Sequence, residues 1–208
     1  PAIQKRPTMC PRCGRGFVRA HDHSRAKRDI DLPFGKLSAR TVPVISKSLS
    51  GKRIAVTGST GFLGTALVER LLRSVPDCEL VLLVRPGRRN SAERRVQREI
   101  FRNDAFDRLR SQWGDDFDEI CQQRVSVIEG DVTSEGLGLD DAGQQLFTSC
   151  DVIIHSAATV SFDSPLDSSI EINLLGPNRI LNLLKQESVT PHMISVSTCY
   201  VAGNRRGA

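Results

Sequence analysis

Three glycines spaced three apart, Gly58, Gly61 and Gly64, lie between a short apolar run, Ile54-Ala55-Val56, and a segment in which Leu63, Leu67, Leu71 and Val75 recur at helical spacing. Strand, glycine-rich turn and helix in that order make a phosphate cradle. Gly58 permits a tight turn, Gly61 lets backbone approach a pyrophosphate, and Gly64 lets the helix pack closely on the strand. The free N–H groups and positive end of the helix then face the phosphates; Ser59, Thr60, Phe62 and Leu63 fill the turn between the glycines. The spacing Gly-x-x-Gly-x-x-Gly alone also fits an ordinary strand-to-helix turn, so the choice rests on the strand ends further along the chain.

Those strand ends suit a dinucleotide. The buried-strand run Glu79–Val84 ends at Arg85, and Pro86-Gly87 closes it. An acid at that strand end would bond an adenosine 2′-hydroxyl and select NAD, whereas an arginine accommodates the 2′-phosphate. Arg85, with Arg88 and Arg89 behind it, therefore points to NADPH, against the alternative of solvated loop charges. Strand 124–131 ends in Asp131, placed to accept from an adenine amino group while Val132 covers the ring; a turn or helix-cap role is the other reading. The run 151–158 ends in Ser156, Ala157 and Ala158, small enough for backbone to lie against a nicotinamide ribose. His155 reads as a satisfied core histidine rather than an acid or base.

These groups need a scaffold. Residues 91–123 are expected to form one or two helices, with Val96, Ile100 and Phe101 on one face and Phe106, Leu109 and Trp113 on another. A long helix is expected over 166–187, its buried side carrying Ile170, Leu174, Leu181 and Leu184. Asn173 interrupts that side and Pro177 kinks or restarts the helix. A buried asparagine needs partners, and bridging strand four to the site is its useful role. A fifth strand, 192–197, delivers Ser197 and Thr198 to the sheet's carboxyl edge, where hydroxyls can hold a substrate carbonyl. The order of elements implies an α/β fold with a doubly wound parallel sheet and helices on both faces.

The 208 residues carry a net charge of +5, but 13 of the 29 Lys/Arg and only 3 of the 24 acids fall in residues 1–53. The body is therefore acidic, and the basic balance does not argue for nucleic-acid binding. No apolar run is long enough to span a membrane, which leaves peripheral membrane contact open and makes a cytoplasmic location the expectation. Residues 1–50 show no sustained period and are expected to be a basic, disordered extension, with 51–208 the folded domain. Cys10-x-x-Cys13 with His21 and His23 could be drawn as a zinc site, but His-x-His is too short a spacing for the usual fingers, and no metal is expected. Cys78, Cys121, Cys150 and Cys199 sit singly by apolar segments, as in a reducing compartment.

Taken together, Thr57–Gly64, Gly130-Asp131-Val132, His155-Ser156-Ala157-Ala158, Asn173 and Ser197-Thr198 resemble an extended short-chain dehydrogenase/reductase. Leu82-Leu83-Val84-Arg85-Pro86, Ser91–Arg94, Phe106–Leu109, Gly130–Leu139 and Ala158–Asp163 look like its thioester-reductase branch, which includes fatty acyl-CoA reductases. The resemblance runs from about residue 51 onward. It implies a Rossmann-type fold, NADPH bound by Gly58–Gly64, Arg85, Asp131, Val132, Ser156, Ala157, Ala158 and Asn173, and an acyl-CoA or carrier-bound acyl thioester as substrate. Thr198, or its neighbour Ser197, matches the hydroxyl that bonds the substrate carbonyl. The family's Tyr-x-x-x-Lys pair has no counterpart, since Tyr200 is followed four residues later by Asn204. The expectation is a fragment that lacks the substrate-binding part at its C-terminal side and is inactive by itself. Two alternatives stand beside this reading: a sugar-nucleotide epimerase or hydroxysteroid-type dehydrogenase, and a non-catalytic NADP-binding sensor.

Overall fold

The computed structural model describes residues 45–161 and 163–204. Five strands, β1 (Arg53–Thr57), β2 (Glu79–Val84), β3 (Val125–Glu129), β4 (Val152–His155) and β5 (His192–Ser195), form one sheet in the order β3-β2-β1-β4-β5. Every pairing is parallel. The strand order reverses between β1 and β4, so the chain crosses sides there and a crevice opens at the carboxyl ends of these two strands. Thr57, last in β1, is in register with His155, last in β4.

Side chains alternate along the strands and build a core on each face. Ile54, Val56, Leu80 and Leu82 pack with Val68 and Leu72 of α2 (Phe62–Ser74), which follows α1 (Ile45–Leu49). On the opposite face Ala55, Val81, Leu83 and Ile153 meet Phe147, Ile180, Leu183 and Leu184 from two later helices. The inner strands read as unbroken apolar runs because both their faces are buried.

The segment before β3 is more broken than the one or two helices expected. α3 (Ala92–Arg95) runs into a π-helical turn at Val96–Phe101, followed by α4 (Asp107–Trp113) and α5 (Phe117–Arg124), with short 3-10 turns between. The anticipated apolar faces are buried, and Phe101, Phe106 and Phe117 meet edge to face. Arg124 caps α2 by donating to the carbonyls of Leu72 at 2.8 Å and Cys78 at 3.3 Å.

Two helix faces differ from expectation. α2 buries Gly64, Thr65, Val68, Leu71 and Leu72, while Leu63 is 43% exposed. Leu71 and Val75 of the expected stripe are buried and Leu67 packs on the core, so the period misses only at the first turn, where Gly64 rather than Leu63 makes the close approach. α6 (Asp141–Thr148) precedes β4 and carries Phe147. After β4, α7 (Leu166–Ile170) continues through a π-helical segment, Glu171–Leu175, into α8 (Gly176–Gln186). The wider π turn shifts the helical phase. Ile180, Leu183 and Leu184 are buried, whereas Ile170, Leu174 and Leu181 are exposed. Pro177 sits in the first turn of α8, where its missing N–H costs nothing. β5 ends at Ser195 rather than Ser197 and is an exposed edge strand.

α1 lies inside the stretch expected as an extension, with Leu49 packed on the core. Cys10, Cys13, His21 and His23 lie outside the described residues. Cys78, Cys121 and Cys150 are buried free thiols, and burial pushes those of Cys121 and Cys150 up to about 12. Among the described residues no helix is long and apolar enough to cross a membrane.

Candidate functional site

The carboxyl ends of β1, β2, β3 and β4 surround a cleft of about 250 Å³. From the turn after β1 come Gly58, Thr60 and Gly61, from the end of β2 Arg85, from the turn after β3 Asp131 and Val132, and from the segment after β4 Ser156, Ala157 and Ala158. These nine are among the residues the sequence singled out. Thr57, Leu83, Val84, Gly130 and Thr133, which lie in the same motifs without an assigned role, line it too, and Arg95 and Ile172 were not anticipated.

The glycine-rich turn is shaped by backbone contact. Gly58 has φ +71, and a Cβ on it would lie 2.6 Å from the Ala157 nitrogen. At Gly64 a Cβ would lie 2.1 Å from the Gly58 carbonyl oxygen, so α2 packs on the turn itself as well as under the strand. Gly61 is looser, with 3.3 Å to the same oxygen. It donates its N–H to Gly58 at 3.0 Å and forms the N-cap of α2, without a side chain to close the helix end. Four N–H groups at a helix start have no partner within the helix. Here the Gly61 N–H is taken by Gly58, and no side chain caps those that follow.

Thr57 ties β1 to β4. Its buried hydroxyl accepts from the N–H groups of Ser156 and Ala157, both at 3.2 Å, and lies 2.8 Å from Nδ1 of His155. Two accepted bonds fill its acceptor positions, so its proton goes to Nδ1 and the imidazole carries its own proton on Nε2. Burial pushes the His155 pKa down. The lowered pKa favours the neutral imidazole, and the bond to Thr57 makes His155 a link between the ends of β1 and β4.

Ser59 does not enter the cleft as the sequence suggested. Its Oγ is buried without a hydrogen-bond partner, while Thr65 Oγ1 donates to its carbonyl at 3.1 Å. Phe62, Leu63 and Gly64 also lie off the cleft wall, and Phe62 is 98% exposed. Any part they play in binding phosphate falls to their backbone.

At the adenosine end, Arg85 and Asp131 pair at 3.6 Å across the mouth, with the Arg85 side chain largely exposed. Asp131 also accepts from Thr133 N–H at 2.9 Å, so the turn-residue reading holds in the structure alongside a place on the wall. Arg95 stands behind Arg85. It donates to the Arg85 carbonyl at 2.6 Å and pairs with Glu99 at 2.7 Å. In the sequence Arg95 is one of many arginines in a helical run; its burial and its bond back to β2 set it apart.

Asn173 is exposed rather than buried, yet it makes the expected bridge. Oδ1 accepts from Thr159 N–H at 2.9 Å and Nδ2 donates to the Thr159 carbonyl at 3.0 Å, which clamps the segment after β4 to the π-helical turn. Ser197 and Thr198 follow β5 outside the cleft, both exposed. Thr198 caps a short 3-10 turn, accepting from Tyr200 N–H at 3.3 Å.

The donor set fits a dinucleotide: glycines whose side-chain space is taken by backbone, an uncapped helix start, Arg85 at one end and small residues at the other. A family model described as male sterility protein matches residues 56–208. The chain belongs to this family.

Its relatives are reductases by name. An alcohol-forming fatty acyl-CoA reductase from Simmondsia chinensis is 35% identical over 166 residues, 78% of this chain and 34% of that protein. A fatty acyl-CoA reductase 1 from Gallus gallus is 34% identical over 78% of this chain and 31% of that protein. The chain thus spans about a third of the curated relatives' length. Among solved structures, the terminal R domain of the myxalamid PKS-NRPS pathway superposes with a TM-score of 0.58 at 29% identity, covering 76% of this chain and 38% of that one. The reductase domain of a non-ribosomal peptide synthetase from Mycobacterium tuberculosis gives 0.55 at 29% identity, with 77% and 37% covered. The sequence's resemblance to the thioester-reductase branch holds, and so does the parallel α/β fold; the family and these neighbours imply a nicotinamide cofactor.

Proposed function

We propose that this chain is the cofactor-binding part of an NADPH-dependent reductase of acyl thioesters, with a fatty acyl-CoA as the favoured substrate. The observation that carries NADPH over NADH is Arg85, which follows β2 at the mouth of the cleft, with Arg95 of α3 paired to Glu99 and holding the Arg85 carbonyl. The Arg85 guanidinium fork suits a 2′-phosphate, and no acid ends β2 to bond a 2′-hydroxyl. That choice also disfavours the NAD-dependent epimerase reading. The family and relatives named for fatty acyl-CoA support that substrate class.

In this reading the turn Gly58–Gly61 and the start of α2 hold the pyrophosphate, Asp131 and Val132 hold the adenine, and Ser156–Ala158 lie along the nicotinamide ribose. Thr57 and Asn173 fix the position of that last segment through Ala157 and Thr159. NADPH, when bound, supplies the hydride that the thioester carbonyl accepts. Thr198 accepts from Tyr200 N–H, which leaves its hydroxyl proton to donate to that carbonyl and favour charge developing on oxygen. The tetrahedral hemithioacetal then expels the thiolate and leaves an aldehyde.

The test is nucleotide oxidation by the purified full-length gene product with a long-chain acyl-CoA. Turnover with NADPH well above NADH, lost in Thr198→Ala while NADPH still binds, is expected. Tight NADPH binding with no acyl-CoA-dependent oxidation would leave only a nucleotide-binding role.

A further inference from the structure

The turn after β3 is strained in a way the cofactor contacts alone do not require. Gly136, Leu137 and Gly138 are three successive residues in the left-handed region, at φ 55, 60 and 62. Glycine takes that conformation freely; a leucine does not, and Leu137 is fully buried in the core. A non-glycine residue held there needs surroundings that over-determine it.

Those surroundings form a closed ring. Leu137 N–H donates to the Ser134 carbonyl at 3.1 Å, Ser134 N–H donates to the Asp131 carbonyl at 3.0 Å, and Asp131 N–H donates to the Leu137 carbonyl at 2.8 Å. Gly130, just before it, has no room for a side chain because a Cβ would lie 2.7 Å from the Leu137 oxygen. The left-handed turn is what brings that oxygen round to Asp131. The Asp131 carboxylate is then committed on both sides, to Thr133 N–H at 2.9 Å and to Arg85 at 3.6 Å.

We propose that Leu137, although it touches no cofactor, is a positioning residue for the adenosine end of the cleft: its buried side chain anchors a left-handed turn that locks Asp131, and through Asp131 aims Arg85. The inference rests on the reading of the cleft as an NADPH site. Leucine does what glycine at 137 would not, since glycine takes the conformation but has no side chain to hold it in the core. Anchor and backbone are separable by substitution. Leu137→Gly keeps the permitted φ and removes the anchor. Gly136→Ala opposes the left-handed φ without touching the core, because its Cβ would meet only the Gln144 side-chain amide, at 3.3 Å. Leu137→Met keeps a buried apolar side chain of similar volume.

The experiment titrates NADPH and NADH against the full-length protein and each variant, and follows hydrogen exchange at the Asp131 amide. Leu137→Gly and Gly136→Ala are expected to weaken NADPH about tenfold, as for loss of one charge-assisted hydrogen bond, and NADH by less, since NADH shares the adenine contact of Asp131 but not the 2′-phosphate contact of Arg85. Protection of the Asp131 amide should fall with it, and Leu137→Met should retain both. Variants that melt earlier but keep the wild-type NADPH-to-NADH ratio and a protected Asp131 amide would make the turn a stability element only and overturn the proposal. Should Leu137→Gly fail to fold, Gly136→Ala decides alone. Wild-type protein that binds neither nucleotide would instead remove the cofactor reading, and this inference with it.

Discussion

Gly64→Ala places one methyl group where the structure has no space. The added Cβ would lie 2.1 Å from the Gly58 carbonyl oxygen and 2.7 Å from the Ser59 Cα. Comfortable non-bonded contact begins near ~3.5 Å, so turn and helix must separate by on the order of 1 Å. Both neighbours are backbone, and neither can rotate away. Overpacking of this kind costs about 1–3 kcal/mol, toward the upper end here, and the better helix propensity of alanine offsets at most about 1 kcal/mol. A net loss of about 2 kcal/mol corresponds to a fall in Tm of roughly 4–8 °C for a chain of this size. The same displacement moves the N–H groups of the turn away from the pyrophosphate, so NADPH affinity should fall more than about tenfold, beyond one hydrogen bond's worth. Thermal unfolding by circular dichroism and titration of NADPH fluorescence read the two effects. Gly61→Ala, with 3.3 Å to its nearest neighbour, is the matched control and should lose far less. Gly64→Ala protein with wild-type Tm and NADPH affinity would refute the claim that this contact shapes the cradle.

Ser59→Ala should leave NADPH affinity unchanged and raise stability by up to about 1 kcal/mol in chemical denaturation, because it removes a buried hydroxyl that has no partner. Thr57→Val keeps the shape but strands Ala157 N–H and His155 Nδ1, and should cost about 3 kcal/mol by the same measurement. His155 has a folded pKa below its ordinary value, so between that lowered pKa and about 6.5 the unfolded state binds the extra proton. Stability should therefore fall as pH drops below about 6.5, and the slope in that window should flatten in His155→Asn; an unchanged slope would remove His155 as its source. Glu99, Glu93 and Asp151, which arginine, serine and lysine side chains respectively hold below the ordinary carboxylate range, lose their contribution only at more acid pH.

The sheet was legible because its inner strands are continuous apolar runs and its turn is marked by glycines, both properties of local sequence. The polar ends of the cleft were legible for the same reason: Arg85, Asp131 and Ala157 each directly follow or lie close behind an apolar run. Helix faces were less so. Two π-helical segments, Val96–Phe101 and Glu171–Leu175, leave no simple mark in hydrophobic period, and the second shifted the expected face of the long helix. Arg95 was hidden because nothing local separates an arginine bonded to a neighbouring strand's carbonyl from one facing water. Ser59 was misplaced because membership of a motif does not say which way a side chain points. Leu137 carried no sign of its left-handed backbone beyond the glycines on either side.

The central claim is that acyl thioester and NADPH meet on this scaffold, and its most direct test is release of free CoA. Full-length protein would be given a long-chain acyl-CoA and NADPH, and CoA thiol would be counted against NADPH consumed, with a protein-only blank subtracted for its own thiols, the exposed Cys199 among them. CoA release is expected to depend on NADPH, keep pace with its oxidation, and be much slower with NADH. NADPH bound tightly with no CoA set free would contradict it.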